Sequence, residues 1–298
     1  MGRIAQKILQ NFAKSRSLEV VDFSVHLAAK RRSDEYHSHL HTLELLLRRG
    51  FDPLHAHYVA AQNLVSLLCE ELTLLAVLKP FVRIVSAAET TFMPDGPPFS
   101  PLTRSYFTCW AFFDVLFGKD QETIGGCIQE LAVDLAIEPH LLTVIQAMQE
   151  SRMGIYEHCG MVDSEVVLRD IVDDRTCHCY VPTGYQGKPG QLWYVRLMPP
   201  IPGYDYHIAF TTPYILMSAK EEWLAFLHRT VPLLKAPWRP RPVQEAIHDL
   251  LKHGLDSGYW LEYIALSYLG AQDNAIFLTG IPDQVDSLPN AVVEVEPE

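Results

Sequence analysis

The chain is short of positive charge. Lysine and arginine number 24 against 36 aspartates and glutamates, a formal net charge of −12 over 298 residues. Such an acidic molecule gains little from counterion release on a phosphate backbone, so nonspecific nucleic-acid binding is not expected. Long apolar runs are lacking too. The most apolar stretch, Val59 to Ala88, is interrupted by Glu70, Glu71 and Lys79-Pro80. A spanning helix needs roughly 20 nearly unbroken apolar residues, so this stretch reads as buried helix and no membrane span is expected. The apolar run and small-residue cleavage site of a secretory signal are missing from the first residues. The six cysteines lie scattered in segments that otherwise look buried. Together these features point to reduced thiols in a cytoplasmic protein. Catalytic fingerprints are also missing: there is no Gly-x-Ser-x-Gly elbow, Walker A loop or dinucleotide motif. Gly125-Gly-Cys127 has no partner pattern, which makes Cys127 a core residue of its helix. No internal repeat is present.

What is present begins with a basic amphipathic segment. Residues 1–18 hold Arg3, Lys7, Lys14 and Arg16 without an acid, and Ile4, Ile8 and Phe12 recur at helical spacing. A first helix docked on its domain is expected, and an organellar presequence is the alternative. Helical patterning continues over 19–49, with a break near Ser33-Asp34 and a stop at Gly50. Pro53 opens a long apolar helix that ends or kinks before Pro80. Met93 to Pro101 must be a loop, because it carries four prolines and a glycine. The aromatic stretch 102–118 and the segments 120–136 and 138–152 read as further helices.

The period then changes. Ile155–Cys159, Val166–Asp170, Thr176–Val181, Leu192–Met198 and Tyr206–Phe210 are short runs rich in β-branched and aromatic residues, separated by turn chemistry. Five strands so spaced suggest a small, strongly curved antiparallel sheet or partial barrel. Helical patterning resumes at Ser218-Ala-Lys-Glu221, a capping-box candidate. It continues after the linker 238–242 in segments near 243–253 and 257–269. The expected fold is α+β: a mainly helical N-terminal domain over 1–152, the β unit over 153–217, and C-terminal helices with an acidic tail over 218–298.

The run from Trp110 through Leu197 carries a family resemblance. Trp110-Ala-Phe-Phe-Asp-Val-Leu-Phe117, Thr123, Ser151-Arg152, Tyr156, Val167-Leu-Arg-Asp170, Gly190 and Val195-Arg-Leu197 together resemble the middle region of uncharacterised bacterial proteins associated with the SEC-C zinc motif. The resemblance implies helices leading into a compact β unit, and it carries no activity over. This chain departs from the family's zinc motif. Cys177-His-Cys179 supplies one cysteine pair, the second pair is absent, and Gln191 stands where an acid usually follows Gly190.

Three constellations could carry chemistry. Asp34, His37, His41 and Glu44 fall at i, i+3, i+7 and i+10 on one helical face. His37, His41 and Glu44 form a two-histidine, one-carboxylate set suited to zinc, iron or manganese, with His39, His55 and His57 nearby. The competing reading is a solvated face on which Glu44 pairs with Arg48. Cys177 and Cys179, on one face of a strand, could hold zinc with Cys159, or could simply be small core residues. The third constellation is a surface: Trp193, Tyr204 and Tyr206 with Arg196 and Arg239, the residue types that protein interfaces and single-strand-binding barrels share. The region 151–241 has a net charge of only +1 by sequence, which favours a protein partner over nucleic acid. The expected function is therefore a non-enzymatic interaction or regulatory module that binds protein partners. A metal-dependent enzyme built in the helical domain is second and a nucleic-acid-binding β unit third. The sequence specifies no oligomeric state.

Overall fold

A computed structural model describes residues 1–17, 42–94, 100–234, 242–272 and 274–291. The fold is mixed α+β. The chain divides into two compact units, each assembled from separated segments. One comprises Met1–Arg83, Val115–Glu150 and Pro200–Tyr204; the other comprises Ile84–Asp114, Ser151–Pro199 and Asp205–Glu298.

In the first unit, helix α1 (Arg3–Ser17) buries Ile4, Ala5 and Ile8. Its first turn contains no acid. Glu122 supplies one instead, accepting from the amides of Ile4 at 3.0 Å and Ala5 at 3.3 Å. A carboxylate at these unpaired N–H groups satisfies them and complements the helix dipole. The docked-helix expectation for the first segment thus has a specific anchor. Helix α2 (Pro53–Thr73) opens with proline in its first turn and Asp52 as N-cap, which accepts from His55 N at 2.9 Å. It buries Leu54, Tyr58, Val65 and Leu72, and packs on the helix Pro139–Glu150, which buries Val144, Ile145 and Met148. The helix expected over 120–136 is shorter, running from Ile124 to Glu130 behind the N-cap Thr123.

In the second unit, eight strands form one sheet: β1 (Arg152–Val162), β2 (Glu165–Asp170), β3 (Thr176–Tyr180), β4 (Leu192–Met198), β5 (His207–Ala209), β6 (Tyr214–Leu216), β7 (Tyr268–Gln272) and β8 (Ala275–Leu278). The first five match the expected runs closely, but the barrel is closed, not partial. Strand order is β1-β2-β3-β5-β4, and β4 returns to β1. The β3–β5 pair is parallel, as is β6–β8, so the sheet is not wholly antiparallel. This closure is that of a five-stranded Greek-key barrel of the OB type. It is possible because β1 serves both neighbours: residues 152–157 pair with β4 and 156–162 with β2. A bulge between His158 and Gly160, with Gly160 at φ 129, bends the strand between those two roles. Tyr156, Leu168, Cys179, Trp193 and Val195 fill the barrel.

The unit contains further elements that shape its polar sites. The aromatic stretch forms a short α-helix, Arg104–Cys109, that widens into a π-turn at Trp110–Asp114. After the barrel come the helices Lys220–Thr230, Val243–His253 and Tyr259–Ser267. The helix expected over 257–269 ends at Ser267, where the β7–β8 hairpin begins. The expected capping box is displaced by one residue. Ala219 is the N-cap, and Glu222, not Glu221, accepts from the Ala219 amide at 2.9 Å.

Candidate functional site

The side chains named from sequence do not assemble as expected. Trp193 is 0% exposed and Arg196 is 1% exposed, so neither belongs to a surface. Both sit on β4, whose seven residues are all buried: Trp193, Val195 and Leu197 face the barrel core, and on the other face Trp260 packs on Tyr194 and Asp114 binds Arg196. Tyr204 and Tyr206 are half-buried, on the Pro200–Tyr204 and Asp205–Glu298 segments of different units. Arg239, His37 and His41 lie outside the described residues. Glu44 is exposed and lies 3.5 Å from Arg48, the pairing that competed with the metal reading. Cys177 faces inward beside the barrel core, and burial pushes its thiol up to about 12. Burial, aided by Glu122, does the same to Cys127, which is therefore a poor nucleophile at neutral pH. Cys159, Cys177 and Cys179 do not converge into a three-ligand set among the described residues.

Arg196 instead belongs to an interior polar cluster. Its guanidinium bonds to Asp114 Oδ2 at the end of the π-turn, and to the Ser151 carbonyl and hydroxyl at 3.1 and 3.0 Å. Lys252 donates to the Ser151 carbonyl at 2.8 Å, and His253 Nδ1 donates to the Asp114 carbonyl at 2.7 Å. Burial drives the His253 ring below its usual range. The cluster ties the π-turn, β4 and the helix Val243–His253 together. With Asp114 and Arg196 both at or below 5% exposure, it offers no access to a ligand.

A second grouping, Asp170, Asp173 and His248, places three ligand-type atoms within 4.8 Å of one another. Both carboxylates already have partners, however. Asp170 Oδ2 accepts from Arg152 at 2.7 Å, and Asp173 Oδ2 accepts from Arg175 Nε at 2.8 Å. Burial, then the Arg152 charge, holds the His248 ring low. Two arginines against two aspartates leave little net negative potential for a cation, so the arrangement reads as an ion-pair network.

The accessible candidate is a cleft of about 480 Å³ on the second unit. It lies where the middle of β1, the start of β4 and the ends of β6 and β8 meet the first turn of the helix Lys220–Thr230. Met217, 56% exposed, and half-buried Phe277 give it an apolar face. Gln191, Ser218 and Glu221 are polar parts of its lining. On its wall, Glu157 Oε2 accepts from Lys220 at 2.8 Å and from Arg169 at 2.9 Å. These bonds, Lys220's first and Arg169's second, hold the Glu157 carboxyl below its usual value. Sequence reading missed Glu157, Met217 and Lys220 as site residues. The available signal was the displaced cap: an exposed methionine between a buried strand and a helix start. No family model matches the chain, and no curated protein or solved structure is significantly similar to it.

Proposed function

We propose that the chain is a non-enzymatic interaction module whose cleft takes an apolar side chain from a protein partner. The observation that carries this reading is Met217, an exposed apolar side chain set beside Phe277 in a concavity lined by charged and polar groups. An apolar centre with a polar rim is the anatomy of a protein-recognition site. Six unpaired thiols support a reducing, cytoplasmic setting.

The outer face of β2 and β3 is where barrels of this order commonly bind nucleic acid or sugar. Here it presents Glu165, Val167, Arg169, Thr176, His178 and Tyr180. Tyr180 and His178 carry the two aromatic rings among these, and His178 is engaged by Glu165 at 3.3 Å. Successive bases would find no stacking platform there, which favours a protein partner. Short peptides selected from a random display library, then titrated by calorimetry, test the reading. Met217→Asp is expected to weaken binding by about tenfold or more, roughly 1.4 kcal/mol. Leu233→Asp, exposed and outside the cleft lining, should bind as wild type. Equal affinity for the Met217→Asp variant would overturn the proposal.

A further inference from the structure

One rim of the cleft, Gly190-Gln191, ends a loop whose Tyr185 packs against the barrel core. Residues 184–190 read Gly-Tyr-Gln-Gly-Lys-Pro-Gly, with Gly184, Gly187 and Gly190 all at positive φ. Gly187 rests on the core: a Cβ there would stand 2.5 Å from the Trp193 ring. His158 holds the loop. Its backbone exchanges bonds with the loop's end, His158 N to Gln191 O at 2.9 Å and Gly190 N to His158 O at 2.8 Å.

The His158 ring is 2% exposed and uses both nitrogens. Nδ1 accepts from the Gly160 amide at 3.1 Å, and an amide can only donate, so that nitrogen carries no proton. Nε2 must then bear the hydrogen, which it donates to the Gln186 carbonyl at 2.8 Å. The bulge that closes the barrel and the loop that covers it thus meet on one neutral imidazole.

We propose that residues 184–190 are a proton-gated flap over the barrel core, with His158 as its latch. A proton from solvent bound at Nδ1 sets an N–H against the Gly160 N–H. Two donors cannot share that contact, and in the proposed switch the ring turns away from Gly160, which breaks its bond to Gln186. Among the described residues, the ring's nitrogens bond to the Gly160 amide and the Gln186 carbonyl and to no carboxylate. The interior around it holds Tyr156 of β1, Cys177 and Cys179 of β3, and Tyr185 of the loop, with Leu168 opposite on β2. Lys188 on the loop is exposed. Glu157 and Arg169 pair with each other on the barrel's outer side. Acid therefore favours the open flap, because the closed form has no place for a second ring proton. One proton bound only by the open form raises its population by at most about tenfold per pH unit.

Hydrogen exchange on the full chain at pH 8 and pH 5, corrected for intrinsic rates, tests the inference without any ligand. Amides of 184–190 and Gly160 should lose protection on acidification while β4 keeps its own. His158→Asn should give the same flap protection at both pH values. Gly187→Ala, which clashes with Trp193, should open the flap even at pH 8. Flat protection in the wild type, or an unchanged pH slope in His158→Asn, would overturn the proposal. If His158→Asn fails to fold, the wild-type ring ¹⁵N shifts decide: Nδ1 must gain its proton in step with flap exchange, and if it does not, the flap is not proton-gated.

Discussion

Two ion pairs in the same unit use the same chemistry in opposite settings. Asp114 and Arg196 are sealed between a π-turn and β4, whereas Glu157 and Lys220 line an open cleft, with 25% and 30% of their side chains exposed. In the interior, neither ion can recover hydration if its partner is lost. The pair therefore carries a desolvation cost while intact and a larger one when broken. At the cleft, water replaces a lost partner, and salt screens what attraction remains. The sealed pair fixes the architecture, and the open pair is free to exchange one partner for another.

The largest effect should come from breaking the sealed pair. Asp114→Ala or Arg196→Met alone is expected to cost about 3–5 kcal/mol, because one charge stays buried without compensation. Urea denaturation would measure it. The double variant should recover a large part of that loss, since removing both charges removes the conflict. Strictly additive losses would show that the pair does not act as a unit. Acid provides the next largest test. The rings of His55, His57, His207, His248 and His253 are all held below their usual range, burial being the first cause in each. Well above pH 6.5 both folded and unfolded chains carry these rings neutral, and they contribute no pH dependence. Below it, the unfolded chain binds protons that the folded chain resists, so stability falls as pH falls. Denaturation midpoints between pH 7.5 and 5.5 should drop steadily, and His253→Gln should flatten the slope.

The barrel was legible in the sequence because its strands obey a period of two and are bounded by turn residues. Val166, Leu168 and Cys177 face the inside as alternation requires. Its closure was not legible, because joining β4 to β1 depends on a bulge at His158–Gly160 that leaves no periodic mark. The β7–β8 hairpin was absorbed into the preceding helix, since Tyr268-Leu269 continues that helix's apolar pattern. The turn signal was there, with Asn274 at φ 65. The candidate surface failed for a different reason. Composition identifies aromatic and arginine residues but not what covers each face of their strand. Alternation puts Trp193 in the barrel core and Arg196 on the outer face, where Asp114 of the π-turn meets it, so both are buried. The cleft could not be read because Glu157 and Lys220 are brought together across a separation of 63 residues.

Smaller effects extend the comparison. Glu122, which anchors helix α1 from a distant loop, lies between the two extremes: part-buried, and bonded to amides instead of a cation. Glu122→Ala leaves those amides without an acceptor and should cost about 1–3 kcal/mol, with exchange of the amides of Ile4 and Ala5 accelerating first.

The open pair should give the smallest stability change and the most specific one. Glu157→Gln removes the charge that holds both Lys220 and Arg169, yet the change in unfolding free energy should stay below about 1 kcal/mol and shrink further in high salt. What should change is the cleft. Lys220, relieved of its partner, is left free to pair with an acidic group on an incoming peptide, so calorimetry should show selected acidic peptides binding the Glu157→Gln variant more tightly than wild type. A loss of several kcal/mol in stability would mean that Glu157 is structural in the way Asp114 is, and the contrast between the two pairs would collapse.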